Sequence, residues 1–187
     1  YHNKGRLESP DSVLIGATAG LALRTPDRQR NWGTHRMSIF ITSLSKRLND
    51  SGLTFLVGDI SQKKGGNIGS HQSHQTGLDV DIYFAKTQSN RFDVEKNWTL
   101  MKFISADHED WISVAFISSS LKKVLCQYAK TKEPEALTER EHPGYKALHY
   151  MGIDEAHTTH THVRLLCPPN APQTPGSKMC LNTVVIL

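Results

Sequence analysis

The sequence has little of several things that would each define a class of protein. No apolar run approaches the roughly 18 residues that a membrane-spanning helix needs, so such a helix is excluded. Cysteine occurs only three times, as Cys126, Cys167 and Cys180, and never as C-x-x-C, which excludes a cysteine zinc site. Charge of one sign is not in large excess. Twenty-two Lys and Arg stand against 18 Asp and Glu, a net charge of +4. The densest basic stretches, Arg24 to Arg36 and Lys122-Lys123, are short or interrupted. Both are expected to be solvated surface, and neither offers the basic face a nucleic-acid binder gathers. Weak attraction to an anionic polymer such as a cell wall is compatible with the charge. No internal repeat, dividing linker or G-x-S-x-G nucleophile elbow is present.

What remains is enough for one core. The chain has 187 residues, 37% of them hydrophobic and 21% charged, which fits one domain over 1–187 with its core at about 30–170. It begins at Tyr1 without Met or an apolar leader, as expected of a chain from which a leader has been removed or trimmed. Residues 1–33 read as irregular, with the small-residue stretch Gly16 to Gly20 able to pack closely. Thr34 is placed to cap a helix carrying Met37, Phe40, Ile41, Leu44 and Leu48, stopped by Gly52. Strands are expected at Thr54 to Gly58, Leu78 to Phe84, Val114 to Ile117 and His160 to Leu166. Further helices are expected over Trp98 to Ile104 and after Ser118 or Ser119, the latter carrying Leu121, Val124, Leu125 and Tyr128, with Cys126 buried among them. The Gly-rich stretch 61–73 and residues 131–156 read as loops. Trp98 and Trp111 are expected to pack inside. Short strands and helices without strict alternation give an α+β class: a small antiparallel sheet core flanked by helices.

The unusual feature is ten histidines, several of them in two clusters. The first runs from Gly69 to Asp81 and holds His71, His74, Asp79 and Asp81. Alternation along a strand puts Asp79 and Asp81 on one face and Val80 and Ile82 on the other. A turn at Gly77 would fold His74 back beside Asp81. The second is His157-Thr158-Thr159-His160-Thr161-His162-Val163-Arg164, in which His160, His162 and Arg164 share a strand face. Imidazole and carboxylate converging suit a divalent metal, zinc above all. His74, Asp81 and His162 would supply N, O and N donors and leave a fourth position for water, as catalytic zinc sites do. His160 is the best-placed base. His71 and His157 are left as supporting groups, oxyanion stabilisers or ligands of a second metal. Ser73, Gln75 and Asp79 are candidates for contact with substrate, with Ser61, Gln62 and Ser70 as further groove-lining groups.

These residues carry a resemblance. Gly58-Asp59-Ile60-Ser61-Gln62, Gly65-Gly66, His71 through Ile82, and His157 through Arg164 followed by Cys167-Pro168 closely resemble the penicillin-insensitive murein endopeptidases. Asn31-Trp32-Gly33 and the run Val114 to Cys126 add to it. The resemblance implies a fold related to the lysostaphin-type, D-Ala-D-Ala-peptidase and hedgehog-like zinc proteins. It also implies cleavage of peptide cross-links in peptidoglycan, typically D-Ala to meso-diaminopimelate, with a metal and no active-site serine. By motif position, His74, Asp81 and His162 resemble the zinc ligands, His160 the base, and His71 and His157 further active-site histidines. Cys167 and Cys180 resemble a family disulfide; they flank a short Pro- and Gly-rich segment that one bridge would close, worth roughly 3 kcal/mol.

The chain departs from the family in places. An early cysteine found in some members is absent, which leaves Cys126 without an obvious partner. The Asp and His that some members place between the clusters are rewritten. Asp93, Asp107 and His108 are only loose counterparts, so one zinc is expected and a second is open. A periplasmic or secreted location follows from the implied substrate. A protein delivered against a rival's wall would be matched by an inhibitor or immunity protein. Two rival readings use the same residues: a D-Ala-D-Ala carboxypeptidase on the same fold, and a non-catalytic cell-wall-binding module.

Overall fold

The computed structural model describes residues 7, 10–13, 20–69, 73–106 and 109–167. Its longest helix, α1 (His35–Asp50), starts where sequence places it: the Thr34 hydroxyl accepts the Met37 N–H at 3.1 Å. Such a cap contributes about 1 kcal/mol. Met37, Phe40, Ile41, Leu44 and Leu48 form one buried stripe. Gly52, at φ +66°, then takes the left-handed conformation, and Leu53 N–H reaches back to Leu48 O at 2.8 Å, closing a Schellman turn.

Among the described residues, eight short strands follow the chain order β1 (Asp11–Ser12), β2 (Leu21–Leu23), β3 (Trp32–Gly33), β4 (Phe55–Val57), β5 (Asp79–Tyr83), β6 (Ile112–Ile117), β7 (Met151–Ile153) and β8 (His160–Leu165). β1 and β3 form a separate antiparallel pair; the other six make one sheet in the order β2-β4-β5-β8-β6-β7. Its four central strands are antiparallel, as expected. Both edge pairs, β2–β4 and β6–β7, are parallel. The reason lies in the connections. The partners of each edge pair are joined through helices, α1 in one case and α3 (Ser119–Lys132) with α4 (Pro143–Tyr150) in the other. A helical crossover returns the chain in the same direction.

The sheet has two unlike faces. Phe55, Val57, Val80, Ile82, Ala115, Ile117, Val163 and Leu165 join one buried cluster with α1, α2 (Val94–Ile104), α3 and α4. The opposite face carries the polar members of the same alternation. The strength of that core is what makes the register of β5 on β8 hard to slip, since a one-residue shift would turn every apolar side chain outward.

Three expectations are corrected. Residues 131–156 are not all loop, since α4 and β7 lie within them. α4 begins with Pro143 after a His142 cap and buries only Gly144 and Ala147, and two small residues leave no apolar periodicity to read. Residues 1–33 contain β1, β2 and β3, each too short for alternation to register. On α3, Leu125 and Ala129 face the core, whereas Val124 is exposed and Cys126 is a half-buried free thiol. Trp98 is core, as expected, and Gly20 packs so tightly on α1 that a Cβ there would lie 2.0 Å from Ser45 O.

A Cβ on Gly144 would lie 2.6 Å from Ala136 Cβ and 2.8 Å from the Trp98 ring. Gly144→Ala is therefore expected to destabilise the fold by about 1–3 kcal/mol through overpacking. The midpoint of chemical unfolding checks this; an unchanged midpoint would show that α4 is not seated on Trp98.

Candidate metal centre

The site is assembled on the face of the sheet away from the helices. Alternation on β5 turns Asp79, Asp81 and Tyr83 to this face, and alternation on β8 turns His160, His162 and Arg164 to it. Pairing then sets Asp79 against Arg164, Asp81 against His162 and Tyr83 against His160, with Phe116 of β6 on the far side of His162. His74 comes from the loop before β5. That loop turns at Gly77, at φ +68°, where a Cβ would lie 2.9 Å from Gly33 Cα, so only glycine fits against the start of α1. Gly77 O accepts the Thr34 N–H at 3.1 Å. His74 itself is left-handed, at φ +64°, and is fully buried. A non-glycine residue held there costs of order 1 kcal/mol or more, a kind of strain found at functional sites.

Three atoms converge. His74 Nε2 lies 3.1 Å from His162 Nδ1 and 3.2 Å from Asp81 Oδ1, and His162 Nδ1 lies 3.0 Å from the same oxygen. Among the described residues this is the one group of three or more His, Cys, Asp and Glu side chains placed to hold a metal ion. The partners on the outer side define which ring nitrogen bears a proton. His74 Nδ1 is 2.9 Å from Ile60 O, a carbonyl that can only accept, so Nδ1 carries the hydrogen. His162 Nε2 is 2.9 Å from Asp79 Oδ1, so Nε2 donates there. With the outer nitrogens protonated, the uncharged forms of the two rings would point lone pairs from His74 Nε2 and His162 Nδ1 at each other and at a carboxylate oxygen.

Such a triangle of acceptors repels itself unless a positive charge sits among them. Bonds of about 2.0–2.1 Å at tetrahedral angles put donors about 3.3 Å apart, close to the separations here. A proton can partly do the same work. Burial opposes charge on His162, but its hydrogen bonds to Asp79 and Asp81 outweigh that and raise its pKa to about 9. Burial likewise opposes charge on Asp81, yet hydrogen bonds from His162 and His74 hold its carboxyl well below the usual range. The donor set is thus compatible with a metal ion.

Asp79 was expected to meet substrate. It is instead fully enclosed beneath the triangle. Its Oδ1 receives His162 Nε2 and, at 2.7 Å, Arg164 Nε, while its Oδ2 lies 3.4 Å from the His74 N–H. One carboxylate thereby ties down both histidines, the carboxylate–histidine–metal arrangement that fixes ring orientation. The signal was present in the alternation of Asp79 with Asp81 and of Arg164 with His162, but the cross-strand register was not.

His160 and His157 stand at the rim. His160 Nε2 is 3.7 Å from Asp81 Oδ1, its Nδ1 is 3.1 Å from Thr159 Oγ1, and its ring lies 5.5 Å from that of Tyr83. His157 stacks on Phe116, with ring centroids 5.9 Å apart, and lies 5.0 Å from the His160 ring. Its Nδ1 faces Asp154 Oδ1 at 3.4 Å. Burial pushes both histidines below the ordinary imidazole range. Phe116 left no sequence signal of its own. Ser73 is half-buried and Gln75 buried, its carbonyl accepting the Gly66 N–H. His71 and Cys180 lie outside the described residues, and so therefore does the expected Cys167–Cys180 pairing. Asp107 and His108 lie outside them too, and Asp93 caps α2 through the Lys96 N–H. The Arg24–Arg36 stretch is not plain solvated surface. Arg30 pairs with buried Asp59 at 2.7 Å, under the Ile60 carbonyl that orients His74, and Arg36 covers the Trp111 ring.

This geometry coincides with a family match. The profile of the penicillin-insensitive murein endopeptidases matches residues 17–180. The chain belongs to that family. A penicillin-insensitive murein endopeptidase of Klebsiella pneumoniae (strain 342) is 28% identical over 207 residues, covering 93% of this chain and 70% of the relative. One from Escherichia coli O157:H7 (strain EC4115 / EHEC) is 26% identical over 195 residues, covering 90% and 66%. The chain spans about two thirds of the length of these curated relatives. All three converging residues, and Asp79 and Arg164 behind them, lie within the matched span.

Competition against a chromophoric chelator should separate the roles. His162→Ala is expected to abolish any tight binding of a divalent metal ion, whereas Asp79→Ala should weaken it about 10–100-fold while the three donors remain. Equal metal affinity in Asp79→Ala and the unaltered protein would show that the buried carboxylate does not tune the site.

Proposed function

We propose that this chain is a zinc-dependent endopeptidase that hydrolyses peptide cross-links of peptidoglycan, such as D-Ala–meso-diaminopimelate, in the periplasm or after secretion. The observation that carries the reading is the buried triangle of His74 Nε2, His162 Nδ1 and Asp81 Oδ1 with His160 beside it. Family membership supports the peptide-bond chemistry and the wall substrate. The N, N, O donor set supports zinc, with one site per chain. When bound there, zinc lowers the pKa of water to about 7 and polarises a carbonyl.

The chain's own residues do the rest. His74, Asp81 and His162 hold the ion, and Asp79 and Ile60 O keep the two rings in the ligating tautomer. His160, kept neutral by partial burial, accepts a proton from the attacking water at Nε2. The water oxygen bonds to the scissile carbonyl carbon, the C–N bond breaks, and the proton passes from His160 to the departing amine. His157, packed against Phe116 and His160, restricts where the base can swing. His71 is read as a further active-site histidine, and Ser73 and Gln75 as part of the groove. The pairing of Cys167 with Cys180 that the resemblance implies would accord with an oxidising compartment. A pure binding module has no use for a base beside a ligand set.

Purified protein incubated with cross-linked muropeptide dimers is expected to yield two monomers, and excess chelator should stop the reaction. His160→Ala should keep its zinc and lose about 10²–10⁴-fold in kcat. Loss of a single alanine, seen by mass spectrometry, would assign a carboxypeptidase instead. No chelator-sensitive cleavage of any dimer would overturn the reading.

A further inference from the structure

Resting on that reading, we propose that Arg24 is a specificity-determining residue that docks the carboxylate next to the scissile amide. The argument begins with register. In β2 and β4, Leu21 pairs with Phe55, Ala22 with Leu56 and Leu23 with Val57. Arg24 N–H continues the ladder to Val57 O at 2.8 Å, which puts Arg24 alongside Gly58. In β4 and β5, Val57 pairs with Ile82, and Gly58 N–H donates to Asp81 O at 2.8 Å. Asp81 in turn pairs with His162. Arg24, Gly58, Asp81 and His162 therefore form one row across four strands. Phe55 and Val57 point to the core, so Gly58 and Arg24 fall on the site face.

The middle of that row has to be a glycine. A Cβ on Gly58 would lie 3.0 Å from the Tyr83 ring and 3.1 Å from Asp81 Cβ. With glycine there, the Tyr83 ring leans over the row between Asp81 and Arg24, which lies two strand spacings or about 10 Å from Asp81 at the backbone. The Arg24 side chain is exposed and bends inward, its guanidinium carbon 4.1 Å over the centre of the Tyr83 ring. The other neighbour of that ring is His160. Stacking by the face leaves a guanidinium its N–H edge, which matches a carboxylate bidentately. The stack also holds the long side chain at the rim of the site before substrate arrives.

The substrate chemistry supplies the partner. Diaminopimelate has an α-amino acid group at each end, so whichever amine is acylated in the cross-link carries a carboxylate on the adjoining carbon. That anion sits on the carbon bonded to the scissile nitrogen, on the leaving side. Asp81 and the buried Asp79 cannot receive it. A cation stacked on the Tyr83 ring, which also neighbours His160, can.

The test compares two cross-linked dimers, one with that carboxylate free and one with it converted to the amide. For the free acid, Arg24→Gln is expected to raise KM about tenfold or more with kcat within threefold, and Arg24→Lys to recover part of the loss. For the amide, the unaltered protein and Arg24→Gln should differ by less than twofold. The same comparison is made by calorimetric titration of both dimers into metal-free protein, where nothing is cut. There Arg24→Gln should lose affinity about tenfold for the free acid alone. Equal losses on acid and amide, or none on the acid, would overturn the proposal while leaving the endopeptidase reading intact. Failure of the zinc-loaded protein to cut either dimer would overturn the endopeptidase reading, and the titration would still decide the role of Arg24.

Discussion

Two imidazole lone pairs and a carboxylate oxygen, held within 3.2 Å of one another in a buried place, make an arrangement that only a positive charge can satisfy. In a low-dielectric setting their mutual repulsion is large, and each group has also given up its water. Nothing local to the three residues would hold them so. The geometry persists because every other element has been committed: the outer ring nitrogens to Ile60 O and Asp79, the carboxylate of Asp79 to Arg164, and the backbone of His74 to a left-handed turn wedged by Gly77 against the start of α1.

The sheet divides its labour by face. One alternation of residues on β5 and β8 builds the apolar core with α1 and α2, and the other builds the site. The same packing that stabilises the fold thus sets the register that aligns Asp81 with His162. This coupling explains why the site can tolerate strain: a slipped register would cost the core before it relieved the ligands. The parallel edges have a part as well. By returning through α1, the chain sets β2 beside β4 in the direction that carries Arg24 past Gly58 toward the ligand row. An antiparallel edge hairpin would have carried that side chain away from it.

Much of the fold was legible because apolar periodicity and capping are strong local signals. α1 showed both, through Thr34 and the stripe from Met37 to Leu48, and β5 and β8 showed alternation with polar residues that had no packing reason to be there. What escaped was held together by contacts between small residues or by distant pairs. α4 is seated through Gly144 and Ala147 on Trp98, a contact that no local pattern announces. Asp79 looked like a groove residue because it shares a strand face with Asp81, and only the cross-strand partner Arg164 shows it to be enclosed. Arg30 looked like solvated charge until Asp59, 29 positions away, was brought beneath it.

The amino-acid sequence by itself determined the donor types, their alternation along two strands and the glycines that permit the turns, because these depend on residue chemistry and on the twofold period of a strand. The tertiary structure decided which nitrogen of each histidine faces inward, that Asp81 joins the converging group while Asp79 is enclosed beneath it, and which of several arginines stacks on Tyr83. Those choices depend on hydrogen-bond partners and sheet register, and both are set by packing between segments far apart in the chain.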